Sequence, residues 1–279
     1  MSATSATVKS PAYLAGQAPD DGLIDSWVEQ FDRDGCLFLR NVLPPDWCAE
    51  LRRDLDRALD GPETPGNRNR RKKPGSRIEL HHRMFETSAA NLRLFDLEPI
   101  VTFAERLVAE TCHVIHNNSF RTPPGGGISG WHQDDPPHFE VIRGEPPTNV
   151  RLPVLLFTCN YYLTDVESAG NGPTQTVPGS HLFGAPPPNP IEGSGYEDRV
   201  VSNTGPAGSV IMFNNQVWHR GGPNQSSRTR YITQISYARR VIGHKFYPFM
   251  NYQMPEHVYA GAGERLRRLL GFLPHGAYG

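Results

Sequence analysis

The sequence predicts a mainly β protein, a barrel or sandwich with helices gathered at its N-terminal end. Helical spacing of apolar residues is confined to the stretch before about residue 110. From about residue 113 the chain becomes short apolar runs punctuated by Gly and Pro. The 27 Gly and 26 Pro, about a fifth of the 279 residues, imply many turns and irregular connections, which suit a β core better than a helical bundle.

In chain order, residues 1–19 are small and polar and are expected to be a flexible N-terminus. Asp20 and Asp21 then open a helix with Leu23, Ile24, Trp27 and Phe31 at helical spacing, ended by Gly35. Residues 36–39 read as a short buried strand. Pro44-Pro45-Asp46 start a second helix that runs through Leu51, Leu55 and Leu59 and stops at Gly61. Residues 62–77 form a loop carrying Arg68, Arg70, Arg71, Lys72, Lys73 and Arg77. It is either a solvated surface loop or a lid that attracts an anionic substrate. A further helix is expected over 89–110, spanning Pro99.

Strands are expected at 114–115, 154–157, 161–163, 209–213 and 231–237. The connections at 121–130, 135–149 and 184–199 are long enough to build the mouth of a site. A last helix at 263–270 leads a helical tail. Residues 20–279 are therefore read as one domain, with a helical part at 20–112 and a β core at 113–245.

Composition narrows the function. A net charge of −1 gives no bulk attraction to nucleic acid or to a membrane surface, so the expected partner is a small-molecule substrate, with the chain a monomer or homodimer. Cys36, Cys48, Cys112 and Cys159 lack C-x-x-C spacing and read as reduced thiols. No signal peptide and no membrane-length apolar run is visible, and a cytoplasmic location is expected.

The chemistry concentrates in Trp131-His132-Gln133-Asp134 and, further on, Trp218-His219 and Arg230. A His-x-Asp on a strand would place both side chains on one face, because strand side chains alternate. A bare H-x-D is common and often only satisfies backbone groups. A second His from a distant strand would complete a 2-His-1-carboxylate set, which suits non-heme Fe(II) and leaves coordination positions open. A hairpin through Arg220-Gly221-Gly222-Pro223-Asn224 would return Arg230 alongside, where its guanidinium could grip a carboxylate. Metal and clamp together point to an oxygenase that consumes a small diacid. Arg228 competes for the clamp, His138 is read as lining the mouth, and His181, between turn residues, is read as structural. A zinc hydrolase would share the ligands without needing the arginine. A non-catalytic jelly-roll protein binding a small molecule is the reading from another class.

The segments SFRTPPGGGISGWHQD, NYYLTDVESAGNGPTQTVPGSH and VWHRGGPNQSSRTR, in this order, resemble the phytanoyl-CoA dioxygenase family of Fe(II)/2-oxoglutarate-dependent oxygenases over about residues 35–275. The resemblance implies a double-stranded β-helix (jelly-roll, cupin-like) core with N-terminal helices. It implies Fe(II) on His132, Asp134 and His219, 2-oxoglutarate as cosubstrate and O2 as oxidant. Arg230, eleven residues after the second His, matches the family's arginine for the distal carboxylate, which prefers it over Arg228. Asn118, Arg121 and Thr174 match positions that help hold the cosubstrate. Many members carry a Ser two residues after the second His, where this chain has Gly221. That leaves Thr176, Tyr231 or a water to supply the missing donor. Halogenating relatives carry Gly or Ala at the carboxylate position, so Asp134 disfavours halogenation. His138, Phe139, Tyr161 and Trp218 are expected to line the substrate pocket. The implied reaction oxidises a C–H bond of a small metabolite, most simply by hydroxylation, with succinate and CO2 released. Desaturation, cyclisation and epimerisation use the same centre.

Overall fold

In the computed structural model, which describes residues 12–62, 70–72, 77–145, 151–246 and 251–272, Asp20 opens the first helix. Its carboxylate accepts hydrogen bonds from the Gly22 and Leu23 amides and so caps α1 (Asp21–Asp34). Gly35 closes it in the left-handed region at φ 69°. A Cβ there would lie 2.4 Å from both His181 and Val217, so only glycine fits. The chain continues directly into β1 (Cys36–Leu39), and α2 (Pro45–Asp60) follows with Pro45 in its first turn, where the missing N–H costs nothing. Residues 1–11 of the expected flexible N-terminus lie outside the described residues. The rest of that stretch is tied down: the Leu14 and Ala15 amides donate to the carbonyls of Asn41 and Val42.

The helix expected over 89–110 is two short ones, α3 (Ala89–Leu92) and α4 (Ile100–Leu107). Pro99 divides them, since proline disfavours helix in the residue before it and brings no N–H of its own. The basic loop is likewise not all loop. Arg70–Lys72 form an edge strand, β2, paired with β3 (Glu79–His82). The remainder of its basic run up to Lys73 lies outside the described residues.

The β core has two sheets. One has seven strands in the order β1-β9-β6-β11-β4-β3-β2, taking in β4 (His113–Thr122), β6 (Leu156–Tyr162), β9 (Val210–Asn214) and β11 (Arg230–Ala238). The other has four, β5-β10-β7-β8, from β5 (Ile128–His132), β7 (Thr174–Thr176), β8 (Val201–Ser202) and β10 (His219–Gly221). Every pairing is antiparallel. This is the jelly-roll core with N-terminal helices that the resemblance implied. The runs at 154–157 and 161–163, read as separate, overlap the two ends of one strand, β6. Thr158 and Asn160 interrupt its apolar character because they face the other sheet. Two short helices, α5 (Glu256–Tyr259) and α6 (Glu264–Leu269), end the described chain.

The largest core lies behind the seven-stranded sheet, not between the sheets. There Phe31 of α1 and Phe103 of α4 meet Phe157 of β6 edge-on, at 5.8 and 5.6 Å between ring centroids. Phe157 in turn stacks on Tyr237 of β11. Period-two alternation then sends the other side chains of β4, β6 and β11 into the space between the sheets. Filling one face of the large sheet with helices leaves the opposite face available to line a cavity.

Candidate metal and diacid site

That cavity has a volume of about 740 Å³. Its floor, the inner face of the large sheet, is layered by strand register. Thr122 of β4 sits opposite Arg230 of β11. The next rung is Leu80, Phe120, Ile232 and Tyr162, and beyond it come His82, Asn118, Gln234 and Asn160. The polar rung is joined by side chains: the Gln234 amide donates to Asn160 Oδ1 at 3.0 Å, and Asn160 donates to Thr174 Oγ1 of the small sheet at 3.2 Å. His82 Nδ1 and Asn118 Oδ1 lie 2.7 Å apart. The floor thus runs from a cationic end through an apolar belt to a belt of carboxamides.

The roof is the small sheet, where His132 at the end of β5 pairs directly with His219 at the start of β10. Asp134 lies beyond the end of β5, not on it, and reaches the same place through its own turn. One ligand atom from each of His132, Asp134 and His219 lies within 4.8 Å of the others. Each imidazole donates its Nδ1–H to the carbonyl two residues before it, His132 to Gly130 and His219 to Val217, both at 2.9 Å. Those bonds set the tautomer and turn Nε2 toward the cluster. His219 Nε2 lies 3.6 Å from Asp134 Oδ1. Burial by itself would raise the Asp134 carboxyl, but the imidazoles of His219 and His132 and the more distant Lys245 outweigh it and hold it at about 2. Burial opposes charge on His219 as well, and the Asp134 carboxylate overcomes it and raises that imidazole above its usual value. Two imidazoles and a permanently ionised carboxylate form a donor set that fits a divalent first-row metal such as Fe(II).

Arg230 occupies the far end of the cavity, 6% exposed. Its Nη2 makes a long 3.5 Å contact with Thr122 Oγ1, while Nε and Nη1 have no partner among the described residues. Burial pulls this guanidinium down to about 10. A buried, unpaired cation costs several kcal/mol unless an anion joins it. Gly172 makes room for it: at φ 74°, a Cβ would lie 2.9 Å from Arg230 Nη1. The donor set and the orphaned guanidinium therefore fit a metal and a carboxylate held in one cavity.

The structure brings His132, Asp134, His219, Arg230, Asn118 and Thr174 together around this cavity. Other expectations need correction. Arg230 does not return by a hairpin beside the ligand strand, because β10 and β11 belong to different sheets and it reaches the site from the floor. Arg121 is on the opposite face of β4 from Asn118 and Thr122, where Asp56, Asp60 and Glu79 pair with it. Tyr161 is likewise in the helix-side core, on the opposite face of β6 from Asn160. Trp218 packs behind the small sheet against Phe183 and Tyr196 and donates its indole N–H to the Ala185 carbonyl. His138 and Phe139 line a separate cavity of about 520 Å³ beside the end of α1. Neither proposed helper of the arginine reaches it: Tyr231 bonds Asp56, and Thr176 bonds Asn203. Arg228 pairs with Glu167 at the surface, whereas His181 is structural as expected, its Nε2 lying 3.1 Å from the Asp32 carbonyl.

Thr122, Asn160 and Gln234 line the site without having been foreseen. The signal for Asn160 was present, since Thr158 and Asn160 are polar at period two inside a run that is otherwise apolar.

A jelly roll that opens a 2-His-1-carboxylate cluster and a buried arginine onto one cavity defines the class of the 2-oxoglutarate oxygenases. The model of the phytanoyl-CoA dioxygenase family matches residues 31–232, and the chain belongs to that family. It is a non-heme Fe(II)/2-oxoglutarate-dependent oxygenase. It is 29% identical to an ectoine dioxygenase of Stutzerimonas stutzeri over 234 residues, which cover 73% of this chain and 72% of that protein. Among solved structures it resembles HygX from Streptomyces hygroscopicus, determined with nickel and 2-oxoglutarate bound. That match has a TM-score of 0.61 at 16% identity and covers 79% of this chain and 89% of the other. It also resembles the epimerase SnoN from nogalamycin biosynthesis, with a TM-score of 0.59 at 19% identity, covering 79% and 84%. Among the described residues, no helix is long and apolar enough to cross a membrane.

Proposed function

We propose that His132, Asp134 and His219 hold Fe(II), that Arg230 binds the distal carboxylate of 2-oxoglutarate, and that the chain hydroxylates a C–H bond of a small metabolite. The observation that carries this reading is the unpaired Arg230 guanidinium, buried in the cavity that the three candidate ligands share. A hydrolytic site does not need such a cation for its chemistry, and succinate release separates the two readings.

Iron held by His132, Asp134 and His219 would couple the oxidative decarboxylation of 2-oxoglutarate by dioxygen, to succinate and CO2, to oxidation of a substrate C–H bond. This chain's residues supply placement. Arg230 and Thr122 would hold one end of the diacid, beside the rung formed by Phe120 and Ile232. Asn118, Thr174 and the linked Asn160–Gln234 pair offer hydrogen bonds at the other end. Charge-assisted bonds to a buried arginine are strong and orient the acid. Asp134 stays ionised through the physiological range and needs no proton removed before it binds metal.

The test is anaerobic addition of Fe(II) and then 2-oxoglutarate, followed by the weak visible charge-transfer band and, after oxygen is admitted, by succinate release. Absence of the band in the wild-type chain sinks the reading. The dioxygenase relative makes ectoine the first compound to try for stimulation of succinate release, and a metabolite screen follows if it fails.

A further inference from the structure

Asp134 poses a mechanical problem. It lies past the end of β5, on a segment rich in proline, yet its carboxylate must meet two histidines with little positional error. Strand pairing that aligns His132 with His219 ends before it.

The segment is held instead from the turn that joins β9 to β10. The Asp134 amide donates to the Asn215 carbonyl at 3.1 Å. The Gln133 side chain donates to the Gln216 carbonyl at 2.8 Å. Asn215 Nδ2 donates to Asp135 Oδ2 at 3.0 Å. Gln216 accepts the His138 amide at 2.8 Å through Oε1 and donates to the Pro136 carbonyl at 3.2 Å through Nε2. Both clasp residues are almost fully buried, Asn215 at 1% and Gln216 at 5%. Gln216 has both ends of its amide bonded, and such a buried group is stiff because losing one partner leaves it desolvated and unpaired. Asn215 contributes its carbonyl and one Nδ2 bond. Val217 follows at once, and its carbonyl orients His219. One short turn therefore sets both the carboxylate and the second histidine.

We propose that Asn215 and Gln216 are positioning residues for the metal centre, clamping residues 133–138 so that Asp134 is presented to the ion. The inference rests on the metal-site reading above. Gln216 is the member that can be tested cleanly, because its two side-chain bonds act on the segment on the far side of Asp134 and touch no ligand.

The experiment is equilibrium titration of the whole chain with Co(II), read from its visible absorption, for the wild type, Gln216→Ala and Leu55→Ala. Leu55 is buried against Ala58, Leu59 and Met84, does not line the cavity, and controls for general loss of stability. Gln216→Ala is expected to weaken Co(II) binding by roughly 10- to 100-fold and to alter the shape of the absorption band. Leu55→Ala is expected to lower the melting temperature while leaving affinity and band shape as in the wild type. The clasp is overturned if folded Gln216→Ala binds Co(II) within about twofold of the wild type, or if Leu55→Ala weakens binding as much. Failure of the wild type itself to bind Co(II) would instead overturn the metal-site reading and the clasp with it.

Discussion

The seven-stranded sheet contains strands of up to ten residues and backs onto the main core, whereas the four-stranded sheet is built from strands of two to five. Aromatic packing and long ladders hold the first. The second has only a small cluster behind it, with Trp131, Val177, Ile191 and Trp218 at its centre. The segment past β5 is tied down instead by bonds to the β9–β10 turn, through the Asn215 carbonyl and the Gln216 side chain. The two histidines of the proposed metal site come from the small sheet, with Asp134 just past the end of β5, and the proposed diacid clamp comes from the large one. Short, bond-stitched strands can aim ligands along directions a regular ladder forbids, while a rigid floor keeps a charged end and a metal end at constant separation. Fold stability and metal chemistry should accordingly respond to different substitutions.

His219→Ala should give the largest effect. Loss of a ligand from the small sheet is expected to cost several kcal/mol of catalysis, about 10³-fold or more in succinate formation, with the melting temperature of the metal-free protein little changed. Phe157→Ala addresses the other sheet. Removing a ring that touches Phe31, Phe103 and Tyr237 should cost about 3–5 kcal/mol of unfolding free energy, measured by denaturant titration, while folded protein keeps its metal affinity.

Arg230→Ala should raise the KM for 2-oxoglutarate by about 10²-fold, because two charge-assisted bonds at about 1.5 kcal/mol each are lost. Arg228→Ala, which breaks only a surface pair, should leave it unchanged.

Acid should act through the large sheet. Burial pulls the His81 imidazole down to about 4. The folded value lies below the unfolded one of 6.5, so between them the unfolded chain binds the extra proton. Stability should therefore fall as pH drops from 6.5 toward 4, and His81→Leu should flatten that slope in melting curves. His113, also pulled down to about 4, contributes in the same direction and window.

The smallest expected effect is a gain. A Cβ at Gly221 would sit 3.8 Å from Arg230 Nη2 and no closer than 3.6 Å to Ile128. Gly221→Ser therefore fits without strain and should lower the KM for 2-oxoglutarate a few-fold, the worth of about one hydrogen bond. An unchanged KM would mean that the hydroxyl does not reach the carboxylate.

Much of this was legible in the chain. Asp20, Gly35 and Pro45 mark helix ends through rules that act within a few residues, and α1 and α2 fall where those residues place them. The candidate triad could be named in advance because its motifs, in their order, resemble a family, and the structure gathers the three side chains within 4.8 Å of one another. Arg121 and Thr122 were not separable by sequence. They are adjacent on one strand, and which of them faces the cavity depends on the phase of alternation, set by partners far away in sequence. The same phase sends Tyr161 into the helix-side core and Asn160 into the site.

The sequence by itself determined the chemistry available: two imidazoles, a carboxylate and an arginine in motifs of a known order. Those are properties of residue types and short spacings, and they survive without coordinates. Tertiary structure decided that Arg230 is buried and unpaired, that Gly172 leaves it room, and that Asn215 and Gln216 hold Asp134 from a turn some eighty residues away. Such facts depend on which faces of two sheets close over one another, and no local spacing carries that information.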